Sequence, residues 1–106
     1  MQIKLYLNEE EKTFTVPFIK GRMLREALKM NKALGEKDSL DDETLDELVQ
    51  FVCGVFNNQF TPDDVFDGLP IDGIFIKLQG VLTDVINKAL SGLQGESNGE
   101  SNPKNV

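Results

Sequence analysis

A chain of 106 residues and 11.8 kDa has room for one small domain, and no apolar run in it approaches the roughly 18–20 residues of a membrane helix. Its 11 basic and 18 acidic side chains leave a net charge of −7, which argues against non-specific nucleic-acid binding because phosphates repel such a surface. There is no His, so neither a Ser-His-Asp nor a Cys-His arrangement can be built, and a lone Cys53 supplies neither an internal disulfide nor a zinc site.

The start, Met1-Gln2-Ile3-Lys4, is soon acidic and does not read as a secretion signal. With the single cysteine, it points to a reducing cytoplasm. The default class is a small interaction protein that needs no cofactor and no metal.

Ile3, Leu5 and Leu7 alternate with polar neighbours, the period of a half-buried strand. Asn8 to Lys12 reads as a polar break, and Thr13 to Val16 as a second strand with Phe14 and Val16 on one face. Pro17 ends it for want of an N–H. A lone hairpin is marginal in water, so helices should cover it.

A helix is expected from about Lys20 to Leu34, with Met23, Leu24, Ala27, Leu28 and Leu34 as its apolar face and Gly35 as its stop. Arg22, Arg25, Lys29 and Lys32 recur at steps of 3, 4 and 3, which makes one cationic stripe. The next helix opens at Ser39 to Asp42, with Ser39 as a cap and acids against the helix dipole. Its apolar face is Leu45, Leu48, Val49, Val52 and Phe56, and Phe51 and Val55 fall off it. Cys53 flanks that face and reads as a small buried hydrophobe. Asn57-Asn58-Gln59 ends this helix.

Thr61-Pro62-Asp63-Asp64 starts a short helix, closed by the turn Asp67-Gly68-Leu69-Pro70. The last helix is expected from about Asp72 to Leu90. Ile71, Phe75, Leu78, Leu82, Val85 and Ala89 form its heptad seam, widened by Ile74, Val81 and Ile86. From Ser91 onward almost nothing is apolar, so residues 91–106 read as a disordered tail behind a domain of residues 1–90. The fold class is therefore α+β and mainly helical: an N-terminal β-hairpin followed by three longer helices and one short one.

Eleven of the 18 acids lie between Glu36 and Asp72, and six of the 11 bases between Lys20 and Lys37. Either the two helix faces are solvated and attract weakly across an antiparallel pair, or the basic stripe docks an acidic partner or a second copy. The second reading predicts a homo-oligomer. Asp63, Asp64 and Asp67 lack the spacing of a calcium loop, the acids from Asp41 to Glu47 read as helix capping, and the glycines form no phosphate cradle. Seven Phe are many for this length. Some of them sit off the expected core faces, so Phe51, Phe60 and Phe66, with Ile76, either fill gaps between short helices or form a patch for a partner.

The segments Val16-Pro17-Phe18-Ile19-Lys20-Gly21-Arg22 and Phe56-Asn57-Asn58-Gln59-Phe60-Thr61, with the turn at residues 67–69, resemble the tail assembly chaperones of siphophages that infect Gram-positive bacteria. The resemblance covers residues 1 to about 90. It implies a mainly helical, non-structural protein of the host bacterial cytoplasm, absent from the mature virion. Such a protein coats the tape measure protein and helps recruit subunits of the major tail tube protein. It also implies, in many such phages, a longer form made by ribosomal frameshifting. Pro103-Lys104-Asn105 can be encoded by a slippery run of A, and codons that break that run would remove the idea.

On this reading Arg22, Arg25, Lys29 and Lys32 make polar or copy-to-copy contacts, and Phe51, Phe60 and Phe66 are the apolar contacts. No nucleic acid and no membrane is involved. The rival class is a small acidic phage regulator or inhibitor that binds a host or phage protein. Its acids should cover a whole face, whereas here a basic helix interrupts them. A small enzyme working through carboxylates alone would need paired acids in an apolar setting, and none is read.

Overall fold

The structure is a computed structural model that describes residues 1–36 and 40–97. Strands β1 (Gln2–Leu7) and β2 (Glu10–Thr15) precede four helices: α1 (Arg22–Gly35), α2 (Asp42–Val55), α3 (Pro62–Gly68) and α4 (Ile74–Ser97). The fold is α+β and mainly helical, with the hairpin first, as the alternation of residues 3–7 and the later helical periods require. Ser39, the expected cap of α2, and Pro103-Lys104-Asn105 lie outside the described residues.

The strands pair antiparallel with Ile3 opposite Phe14 and Leu5 opposite Lys12. Leu7 pairs with Glu10, so the loop is only Asn8-Glu9, both at positive φ (53° and 65°). That is the backbone of a type I′ turn, whose twist matches the strands. Glu10 to Lys12 therefore belong to β2 and not to a polar break, because acids on a two-stranded sheet can face water. Ile3, Leu5 and Val16 turn inward. The Met1 amino group donates to the Val16 carbonyl (3.3 Å) while the Val16 N–H donates to the Met1 carbonyl (2.9 Å), which closes the open end of the hairpin.

Helices α1, α2 and α4 pack against one another, and α3 bridges α2 to β1. One core cluster runs through all of them, centred on Leu48, Val49, Val52 and Phe56 of α2 and on Leu78 and Leu82 of α4. In α1, Met30 is buried and Leu28 is 53 % exposed, the reverse of the expected face. The α2 side of α1 takes the long, adaptable methionine, and Leu28 is left on the far edge of the apolar arc. Glycine does not stop α1 through a left-handed turn, since Gly35 is the last helical residue and Glu36 caps it in right-handed geometry.

Helix α2 is capped by Asp41, whose Oδ1 accepts the Thr44 N–H at 2.8 Å. Phe51 and Val55 are buried together with the expected face, because α2 packs on α1, α3 and α4 at once and so buries more than one stripe. Its end is a Schellman motif. The Asn58 N–H reaches the Cys53 carbonyl at 2.8 Å, and the Asn57 N–H reaches that of Gly54 at 3.0 Å, with both asparagines near φ 58°.

In α3, Thr61 and Asp64 form a reciprocal capping box (3.0 and 3.1 Å) behind Pro62. Helix α4 buries Leu78, Val81, Leu82 and Val85, but Ile71 of the expected seam stands outside the helix and 95 % exposed. It continues to Ser97, past the expected end at Leu90. Extending a formed helix adds one hydrogen bond for each residue fixed, so it can outrun its last core contact. The remainder of the expected tail, residues 98–106, lies outside the described residues.

Candidate functional site

The packing of α1 on α2 leaves an open groove of about 520 Å³. The two helices run antiparallel: Met23 at the start of α1 meets Gly54 at the end of α2, where a Cβ would sit 3.3 Å from the methionine Cε. The absence of a side chain at Gly54 thus opens the groove at that end. Met23, Met30 and Phe51 line its floor, Arg22, Glu26 and Lys29 lie along the α1 rim, and Glu47 and Gln50 along the α2 rim. The result is an apolar floor between charged edges, and thioether side chains let such a floor adapt to irregular partners.

Among the expected contact residues, Arg22, Lys29 and Phe51 come together here. Arg25 and Lys32 are exposed on the same helix but do not line the groove. None of the four cations makes an ion pair among the described residues. Phe51 is only 6 % exposed and Phe60 only 3 %, so both are core side chains in this fold, and neither is a free aromatic surface. Phe60 packs edge-on against Phe14 (centroids 4.9 Å) and tilted on Phe56 (5.5 Å). The Phe51 and Phe60 rings both fill space between elements, and Phe51 keeps a small accessible area on the groove floor. Phe66, on α3, is 37 % exposed and lies away from the groove.

Phe18 is 72 % exposed and Leu28 53 %, which hydrophobic periodicity does not predict. For Phe18 the signal was present: an aromatic wedged between Pro17 and Gly21, outside any periodic segment.

Cys53 is 3 % exposed, and burial, followed by the nearby Asp64 carboxylate, pushes its thiol from an ordinary 9.0 to about 11. It is therefore a neutral core side chain at physiological pH and a poor nucleophile. Thiol reagents are expected to leave it unmodified at pH 8 in native protein and to react fully in denaturant, which a mass shift after alkylation would read. The unfolded chain loses this proton near pH 9 and the folded chain near 11. The stabilising contribution is accordingly intact below about pH 9 and falls away as pH rises towards 11. Among the described residues no group of three or more His, Cys, Asp or Glu is arranged to hold a metal, and Asp64 is engaged in the capping box.

A family model described as phage tail chaperone protein matches residues 1–106, the whole chain. The chain belongs to that phage tail chaperone family. No curated protein and no solved structure matches it.

The two segments that carried the resemblance play different parts in this tail chaperone. Phe56 to Thr61 is scaffold. It contains the Schellman turn, two rings of the aromatic cluster and the cap of α3, and the Gln59 Nε2 donates to the Thr15 carbonyl at 2.9 Å, tying the α2–α3 loop to the end of β2. Val16 to Arg22 is mostly surface: Val16 is buried and Ile19 half-buried, while Pro17, Phe18, Lys20, Gly21 and Arg22 are exposed.

Proposed function

We propose that this tail chaperone binds the tape measure protein of its phage in the host bacterial cytoplasm. There it covers apolar helical stripes until subunits of the major tail tube protein displace it. The observation that carries this reading is the amphipathic groove between α1 and α2, with its Met23–Met30–Phe51 floor and its Arg22 and Lys29 rim. A long helical protein exposed before its tube forms would aggregate through its apolar stripe. A groove with a methionine floor accepts such a stripe in the helix-in-groove manner without demanding one sequence. The charged rims set the orientation of the bound helix, and a net charge of −7 keeps the complex soluble. The protein acts by binding and leaves the mature virion without it.

Co-purification with tape measure fragments tests this. Reversing Arg22 and Lys29 together to Glu is expected to weaken capture at least about tenfold, and Gln50→Trp, which fills the groove from an exposed α2 position, is expected to do the same. Arg25→Glu, on the same helix but outside the groove, should cost less. Undiminished capture by both the double reversal and the Trp variant would remove the groove from the mechanism.

A further inference from the structure

The residues that α1 gives to the α1–α2 groove come in pairs seven apart: Arg22 with Lys29, Met23 with Met30 and Glu26 with Ala33. On α2, Glu47 and Gly54 repeat that interval, with Phe51 on the floor between them. Seven residues make two turns of a supercoiling helix, so side chains at this interval fall on one straight strip. A partner crossing the pair would meet a single turn of each helix. The strip on α1 runs from Arg22 to Ala33, about 16 Å at 1.5 Å per residue. A partner that fills it lies lengthwise, as a further helix beside α1 and α2. To keep apolar side chains over Met23, Met30 and Phe51, that helix needs an apolar repeat of about 3.5 residues, the period of a coiled-coil seam.

The charges are ordered along the same strip. The four cations of α1 divide into two pairs, each seven apart. Arg22 and Lys29 edge the groove, whereas Arg25 and Lys32 lie outside it. Glu26 stands between the two edging cations. A continuous acidic flank would be repelled there, while carboxylates one heptad apart meet the cations alone. The opposite rim carries Glu47 and Gln50, so it repels acids. Met23 meets Gly54, Met30 lies seven residues on from the first and Glu47 seven back from the second. The antiparallel pair thus places Glu47 at the Met30 end of the groove.

We propose that the groove is selective: its ligand is an amphipathic helix with a heptad apolar seam and, on one flank only, carboxylates seven residues apart that pair with Arg22 and Lys29. This rests on the groove being the tape measure site, and it says which helical stripes are held there. The methionine floor tolerates many apolar sequences, and the rim supplies the selection. A net charge of −7 draws basic partners from a distance, so a preference for an acidic flank has its source in the local pair of cations.

Fluorescence anisotropy of labelled synthetic helices of about three heptads, titrated with the full chain, tests this. Both helices carry Leu along the seam and Gln on one flank. On the other flank one has Glu at every seventh position and the second has Lys. The wild type should bind the Glu helix at least about tenfold more tightly than the Lys helix. Arg22→Glu/Lys29→Glu should reverse that order. Arg25→Glu/Lys32→Glu, the same change of net charge outside the groove, should keep it. All four side chains are exposed, so neither double variant disturbs the core. Equal binding of the two helices, binding of neither, or a reversal in both double variants would each overturn the proposal. So would a gain in the mass of the protein alone that Arg22→Glu/Lys29→Glu abolishes and the Glu helix does not displace, which would give the groove to a second copy. Capture of tape measure fragments, read alongside, separates the two readings. The expected reversal without capture supports this selectivity and removes the tape measure, and capture without any helix preference does the opposite.

Discussion

Replacing Phe56 by Ala is expected to destabilise the fold by about 3–5 kcal/mol, enough to leave a substantial unfolded population in a domain whose total stability is about 5–15 kcal/mol. Phe56 is fully buried and stands at the C-terminal cap of α2, where the chain turns toward α3. Its ring meets Phe60 at 5.5 Å, and Phe60 meets Phe14 of β2 at 4.9 Å. Removing the first ring therefore empties the core and also unseats the pair that holds the hairpin to the helices. The backbone around it cannot collapse into the gap, since the Schellman turn and the Gln59 to Thr15 hydrogen bond fix both sides. Phe66→Ala, at a 37 % exposed site, should cost only about 1 kcal/mol. Urea unfolding would separate the two: the Phe56 variant should shift its midpoint far down at unchanged slope. A midpoint shift no larger than that of Phe66→Ala would show that the aromatic cluster is not what joins hairpin to helices.

Those same rings mark how far the sequence could be read. Period-two and helical patterns located the hairpin and the three longer helices, each by a dominant buried face, and the Thr61-Pro62 start signal located α3. What they missed lies where an element is buried on several sides or ends in an unusual backbone. Phe51 fell off the α2 stripe only because a single stripe was assumed, whereas three helices surround α2. Ile71 continued the α4 heptad on paper, yet the turn at Pro70 interrupts the helix before that periodicity applies. Glu9 gave no hint of a type I′ turn, since a glutamate at φ 65° is a poor local match that the strand register imposes. The cationic stripe was legible as a stripe. Which of its members border an apolar floor was not, because that depends on how α1 is rotated against α2.

Gly68→Ala tests the other joint of the fold, and its sign is the point. Within a helix this change normally stabilises by about 0.5–1 kcal/mol. At Gly68 a Cβ would lie 3.0 Å from the Leu5 Cβ, 3.2 Å from the Leu7 Cδ2 and 3.3 Å from the Tyr6 backbone nitrogen. Leu5 is fully buried, and its Cβ and the Tyr6 nitrogen are anchored in β1, so neither can yield as the tip of a flexible side chain would. The added methyl has to push α3 off the strand, and we expect a loss of about 1–3 kcal/mol. Gly80→Ala is the control on α4, where nothing lies within 4 Å of the added carbon and the ordinary helical gain should appear. Thermal melts of the two glycine variants should move in opposite directions from wild type. Two upward shifts would mean that α3 does not need glycine to reach the strand.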